Sequence, residues 1–80
     1  MVRVRINSIE KDLLCKIFKC KFTNYKFIDD YIILSCEYLN EVIELIGDYL
    51  IKYGMDKKYN LTSLGVIIEN LQDKFLSYIE

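Results

Sequence analysis

The sequence predicts a small α+β domain, a two-layer sandwich in which a three-stranded sheet carries its helices on one face. The apolar residues repeat every two positions at the start of the chain and every three or four positions in three later stretches. Between the first two of these helical stretches lies an aromatic-rich hairpin pattern. With 80 residues and 52% apolar residues, the chain is predicted to form a single domain over residues 1–80 in the order β-α-β-β-α-α.

The first strand and the first helix are predicted within the first 18 residues. Apolar and polar residues alternate strictly from residue 2 to residue 7, as in a half-buried strand. Asn7 and Glu10 have the spacing of a capping box, so a helix is expected from about residue 8 to residue 18. Its apolar face comprises Ile9, Leu13, Leu14, Ile17 and Phe18.

A hairpin is predicted next. Residues 22–28 are rich in aromatic and β-branched types, and residues 31–36 are apolar enough for a strand that is covered on both faces. Asp29 and Asp30 lie between them. Adjacent aspartates could hold a metal ion or act as acid and base, but a turn is their commonest location, and we predict a turn here.

Two further helices complete the pattern. The second begins near residue 38 and ends before Gly54, a predicted C-cap, while Gly47 inside it predicts close packing. Thr62 or Ser63 can cap the third. The predicted apolar stripe of the second helix is Leu39, Val42, Ile43, Ile46, Tyr49, Leu50 and Tyr53. That of the third is Leu64, Ile67, Ile68, Leu71, Phe75 and Ile79.

The composition argues against catalysis. The chain has no His, so Ser-His and Cys-His nucleophile pairs and histidine-based metal sites are excluded, and its three glycines stand too far apart to form a phosphate-binding loop. Cys15, Cys20 and Cys36 match no disulfide or zinc spacing and are predicted to be buried, small apolar residues. A reactive thiol would require flanking basic residues, and Cys20 is the only cysteine with a lysine on both sides. We expect no enzyme activity, no cofactor and no metal site.

The sequence predicts a cytoplasmic protein. Residues 1–6 lack the apolar stretch of a signal peptide, and no apolar run approaches the roughly 20 residues of a membrane span. Pro, His, Trp and Ala are absent, and these types have largely GC-rich codons. This bias points to an AT-rich genome, such as those of low-GC bacteria, their phages and plasmids, and several groups of viruses.

Charge is distributed unevenly along the chain, although the net charge is only −1. Residues 1–26 hold seven basic and two acidic side chains, and residues 27–56 hold one basic and seven acidic ones. Glu37, Glu41, Glu44 and Asp48 step by four, three and four residues and are predicted to lie in one line along the second helix. Such like charges repel by about 0.2–0.5 kcal/mol per pair, so a cationic surface opposite them would explain their alignment.

The basic part of the sequence indicates a second candidate surface. Arg3 and Arg5 share one face of the first strand. If the second strand begins early, one of its faces also carries Lys19, Lys21, Thr23, Tyr25 and Phe27, so that basic and aromatic residues interleave on the open sheet. An open sheet face of this kind can bind phosphates and stack bases. The sequence pI of 5.4 argues against it.

The leading hypothesis is a small interaction protein that binds and blocks a larger, basic protein partner, as immunity proteins, antitoxins and phage or viral anti-defence proteins do. The alternative is a small nucleic-acid-binding regulator that uses the basic sheet face. A homodimer contact and an ordinary solvated surface remain open for the acidic line. No membrane partner is expected, because the polar face of the third helix is not basic.

Overall fold

Residues 1–19 and 21–79, which the computed structural model describes, form a three-stranded antiparallel sheet and three α-helices, so the predicted α+β class is confirmed. The elements are β1 (Val2–Arg5), α1 (Ser8–Phe18), β2 (Tyr25–Ile28), β3 (Tyr31–Leu34), α2 (Leu39–Tyr53) and α3 (Ser63–Leu76). A 3-10 turn, Cys36–Tyr38, leads directly into α2.

The sheet has the strand order β1-β3-β2, and its two faces differ. In both strand pairs, residues directly opposite each other lie on the same face. The face that packs on the helices is formed by Val2, Val4, Ile32 and Leu34, which are all buried, together with the half-buried Tyr25 and Phe27. The second face, here called the open face, carries exposed Arg3, Arg5, Lys26 and Ile28, and none of the helices in the described residues packs on it. The prediction that β3 is covered on both faces is therefore wrong, and Tyr31 and Ile33 are only half-buried.

The second strand is shorter than predicted. It begins at Tyr25 and not at Phe22, because the chain before it turns inward to fill the core. The Phe22 ring is buried, with its centroid 5.0 Å from that of Phe18, and the Tyr25 ring centroid lies 4.8 Å from that of Phe18 and 5.8 Å from that of Phe22. The Phe22 ring thus contributes to core packing and does not belong to a strand. The third strand also ends early, at Leu34, where the 3-10 turn follows.

The first helix begins as predicted. The Asn7 side chain accepts a hydrogen bond from the Glu10 backbone N–H at 2.8 Å, and Glu10 Oε1 accepts one from the Asn7 N–H at 3.0 Å, which is a complete capping box. Leu13, Leu14, Ile17 and Phe18 are buried as expected. Ile9 is 58% exposed, contrary to the prediction, because it lies on the side of the first helical turn that faces away from the core.

The second and third helices pack on each other through the central residues of their predicted apolar stripes. The prediction extended both stripes too far at their ends. Val42, Ile46, Ile68, Leu71 and Phe75 are fully buried. The outer members of the stripes, Tyr53, Leu64 and Ile79, are exposed. Tyr53 and Leu64 lie at helix ends, and Ile79 lies beyond α3, which ends at Leu76. Thr62 is the N-cap of α3, and its hydroxyl accepts a hydrogen bond from the Gly65 N–H at 3.0 Å.

Gly54 ends α2 as predicted, but its backbone has φ −99°, which any residue can adopt. The need for glycine is instead a close approach between the two helices. A Cβ on Gly54 would lie 2.8 Å from Gly65 Cα, and a Cβ on Gly65 would overlap the Gly54 carbonyl oxygen. That carbonyl accepts hydrogen bonds from the Thr62 N–H and hydroxyl at 2.9 and 3.1 Å. Gly47, predicted to pack closely, faces the Gln72 side chain of α3.

The prediction of buried cysteines is wrong for the two that the structure describes. Cys15 and Cys36 are exposed. Cys15 lies between buried residues in sequence, but the helix turns it to the opposite, outward face of α1, and Cys36 begins the exposed 3-10 turn. Cys20 lies outside the described residues, and so does the prediction for it.

Candidate interaction surfaces

The predicted acidic line forms one exposed surface, here called the acidic face: Glu37, Glu41, Glu44 and Asp48. Three of these residues belong to α2, and Glu37 belongs to the 3-10 turn before it. The backbone remains in the helical region from the turn into α2, so Glu37 precedes Glu41 by about one helical turn. The opposite side of α2 is anchored by buried Leu39, Val42, Ile46 and Leu50, which turns the four carboxylates outward.

Among the described residues, no cation forms an ion pair with the acidic face. The one ion pair within residues 1–19 and 21–79 joins Lys74 to Glu10 and lies elsewhere. Asp48 lines a cleft together with lysines of the α1 region, but it forms no ion pair with them. The basic part of the chain therefore does not balance the acidic face through direct contacts.

The structure separates the predicted basic face into two surfaces. Arg3 and Arg5 lie on the open face of β1, as predicted, and Lys26 joins them from β2. Lys19 and Lys21 follow α1 and are not part of any strand, so they do not share this face. Tyr25 lies on the opposite side of the sheet, packed among core aromatics, and the proposed alternation from Lys19 through Thr23 to Phe27 does not form.

The open face nevertheless combines cationic and aromatic groups. In the register of the sheet, Arg3 and Lys26 flank Ile33, and Arg5 and Ile28 flank Tyr31. The Arg3 guanidinium carbon lies 5.3 Å from the centre of the Tyr31 ring, a cation–π distance. Sequence reasoning missed Lys26 and Tyr31, although correct strand limits would have placed both of them by alternation.

Lys19 and Lys21 lie instead in a cleft of about 260 Å³ between the end of α1 and the end of α2. Two further lysines and two tyrosines line it, namely Lys16, Lys52, Tyr49 and Tyr53. This group, here called the lysine cleft, was not predicted. Its members are spread over 38 positions of the sequence, and only the packing of α1 beside α2 brings them together.

A larger cleft, of about 720 Å³, lies between β1, the start of α1 and the end of α3. Several of its polar groups form internal bonds. Glu10 Oε1 accepts from the Lys74 ammonium at 2.7 Å, and the Tyr78 hydroxyl donates to the Arg3 carbonyl at 2.8 Å. These bonds hold the end of α3 and the residues after it against the outer edge of β1, so the bonded groups serve the fold.

Asp29 and Asp30 form the predicted turn. Ile28 pairs with Tyr31, which leaves the two aspartates as a two-residue hairpin loop, and Asp29 has a positive φ of 52°. The Asp30 carbonyl accepts a hydrogen bond from the Ile6 N–H at 2.8 Å. Among the described residues, no three Cys, Asp or Glu side chains lie close enough together to hold a metal ion.

None of the helices in the described part of the chain combines the length and the apolar character that a bilayer crossing requires. Comparisons with protein-family models, with curated proteins and with solved structures find no match to this chain.

Proposed function

We propose that this protein is a small, non-catalytic interaction protein that binds a larger, basic protein partner through the acidic face and thereby blocks that partner. This is the mode of action of immunity proteins, antitoxins and phage or viral anti-defence proteins. The observation that carries the proposal is the arrangement of Glu37, Glu41, Glu44 and Asp48, which are all exposed, lie on one side of α2, and have no ion-pair partner among the described residues.

Helix stability does not account for this arrangement. Carboxylates three and four residues apart on a helix repel one another, and two of the four lie beyond the first turn of α2, where the helix dipole no longer favours negative charge. A partner with lysines or arginines at the matching positions would relieve this repulsion. The acidic face would then accelerate association by long-range attraction and set the register of the complex.

The packing of α2 against the rest of the protein makes this helix a rigid support for a binding surface. The helix is fixed by its fully buried side chains Val42 and Ile46, and it contacts both α1 and α3. Its exposed carboxylates are therefore held on a rigid element, and binding requires the ordering of side chains only. A small inhibitor gains affinity from this preorganisation, since less conformational entropy is lost on binding.

Site-specific photo-crosslinking tests the location of the contact. A benzoylphenylalanine at Asn40, an exposed position beside Glu41, is expected to crosslink a basic protein in the cell that produces this chain. The same group at Asn70, exposed on α3, is the matched control and is expected to give no adduct with that protein. Crosslinking from position 70 but not from position 40 would place the contact away from the acidic face and refute the proposal.

A nucleic-acid-binding regulator is the second candidate, and the open face favours it. Three cationic side chains, Arg3, Arg5 and Lys26, project from this face beside Tyr31, and no helix in the part of the chain that the structure describes packs on it. Retention on a heparin column at low salt tests this function, because phosphate contacts weaken steeply as salt increases. The double variant Arg3→Gln, Arg5→Gln should then elute at lower salt than Lys57→Gln, Lys58→Gln, which removes the same charge from a loop. Equal elution of the two variants would exclude the open face as the contact.

A further inference from the structure

The lysine cleft concentrates positive charge in a protein whose net charge is negative. Lys16, Lys19, Lys21 and Lys52 line it together with a single carboxylate, Asp48. None of the four lysines forms an ion pair within residues 1–19 and 21–79. Four cationic side chains around one small concave space repel one another, and an anion between them removes that repulsion.

The backbone fixes the positions of these lysines. Lys16 lies in the last turn of α1, and Lys19 ends the helix with a positive φ of 42°, its N–H donating to the Cys15 carbonyl at 3.0 Å. The Lys21 N–H donates to the Phe18 carbonyl at 2.7 Å. The dipoles of α1 and α2 favour lysine at a helix C-terminus by about 0.3–1 kcal/mol. This effect accounts for single lysines, but it does not explain why both helices and the segment after α1 direct them toward one cleft.

Two aromatic rings give the cleft a second property. Tyr49 and Tyr53 lie one helical turn apart on α2, with ring centroids separated by 4.6 Å, so each ring limits the motion of the other. Tyr53 is 58% exposed at the edge of the cleft. An exposed, restrained ring beside a cationic cleft is a platform on which a nucleobase can stack.

We propose that the lysine cleft binds a nucleoside phosphate, with the phosphate groups among the four lysines and the base against the Tyr53 ring. The volume of about 260 Å³ is below the usual range for a complete drug-sized ligand, so it holds the phosphates while the base stays at the rim. Asp48 belongs to the acidic face and also lines this cleft. The proposal does not rest on the proposed function, because the groups assigned to the ligand, the four lysines and Tyr53, lie outside the acidic face.

Calorimetric titration at low salt tests the proposal with three probes: ADP, inorganic pyrophosphate and a short single-stranded thymidine oligonucleotide. Both ADP and pyrophosphate are expected to bind, and ADP should bind about tenfold more tightly because only ADP has a base to stack. Tyr53→Leu should abolish this difference and leave pyrophosphate binding unchanged. Binding of the oligonucleotide without binding of ADP would overturn the proposal and indicate a site for extended nucleic acid.

A charge-matched pair of variants separates a site from general attraction. Lys16→Gln, Lys52→Gln should weaken ADP and pyrophosphate binding at least tenfold, whereas Lys57→Gln, Lys58→Gln, which alters loop lysines outside the cleft, should change it less than twofold. Circular dichroism establishes that both variants are folded. Equal weakening by the two variants, or no heat from ADP and pyrophosphate with the wild-type protein, would overturn the proposal. Neither result would affect the argument for the acidic face.

Discussion

Lys74 Nζ lies 2.7 Å from Glu10 Oε1 and thereby joins the end of α3 to the start of α1. The Glu10 side chain is only 6% exposed, and the same oxygen also accepts a hydrogen bond from the Asn7 N–H, so one carboxylate serves both the capping box and the ion pair. Lys74 also donates to the Arg5 carbonyl at 3.3 Å. A single lysine of α3 therefore connects this last helix to β1 and α1, the first two elements of the chain.

Replacement of Lys74 by Ala is expected to lower the free energy of unfolding by about 1–2 kcal/mol, between the values for a surface pair and a fully buried one. The reason is that Glu10 stays buried and loses its counter-charge. Urea unfolding measures the change, with Lys57→Ala as a control that removes an unpaired loop lysine. Equal midpoints for the two variants would mean that the ion pair contributes nothing.

Because Gly54 and Gly65 lie in close contact, we expect a single methyl group added at this contact to reduce the stability of the protein strongly. Gly65→Ala should destabilise the protein by about 2–3 kcal/mol, because the new Cβ would overlap the Gly54 carbonyl oxygen and force α2 and α3 apart. Gly47→Ala is the matched control. There the new Cβ meets the flexible Gln72 side chain at 3.1 Å, and Ala has the higher helix propensity by about 1 kcal/mol, so the stability should change by less than about 1 kcal/mol. A larger loss at position 47 than at position 65 would contradict this account of the helix packing.

The exposed cysteines predict rapid chemical modification of the folded protein. Cys15 and Cys36 should both react with iodoacetamide under native conditions, at rates close to those measured in denaturant, because neither thiol is shielded by packing. Peptide mapping by mass spectrometry after a short exposure identifies the labelled positions. Protection of either residue until the protein unfolds would show that it is buried after all.

Most of the fold could be predicted because the deciding signals are local. Alternation identified β1, the Asn7–Glu10 spacing located the start of α1, and the helical repeats identified α2 and α3. The errors occurred where long-range packing overrides local pattern. Phe22 reads as a strand residue but is buried against Phe18, and Ile9 belongs to an apolar stripe but lies beyond the region where α1 meets the core.

The acidic face could be predicted from the sequence better than the basic surfaces, because its arrangement is local and theirs depends on long-range packing. The acidic face lies along one helix and the turn before it, so the spacing of its residues was sufficient to predict it. The basic residues depend on how separate elements meet. Lys19 and Lys21 join Lys52 only because α1 packs beside α2. Tyr25 faces the core because the register of the sheet places it opposite buried Leu34.

The acidic face can be reversed in charge without altering the core. Glu41→Lys, Glu44→Lys should leave the melting temperature close to that of the wild type, since exposed charges usually change stability by no more than about 0.5 kcal/mol. Glu69→Lys, Asp73→Lys produces the same change of net charge on α3, where both carboxylates are also exposed, and serves as the matched control. Unfolding of the first variant alone would indicate that the glutamates stabilise the fold.

The most direct measurement uses the basic protein that crosslinking from position 40 identifies. That protein is purified without the crosslink, and its rate of association with these variants is measured at several salt concentrations. The wild type and the α3 control should associate rapidly, and their rates should fall as salt increases, because the attraction is screened. The α2 variant should associate at least tenfold more slowly at low salt, with little or reversed salt dependence. Association of the folded α2 variant at the wild-type rate would contradict the proposal and leave the acidic face as an ordinary solvated surface.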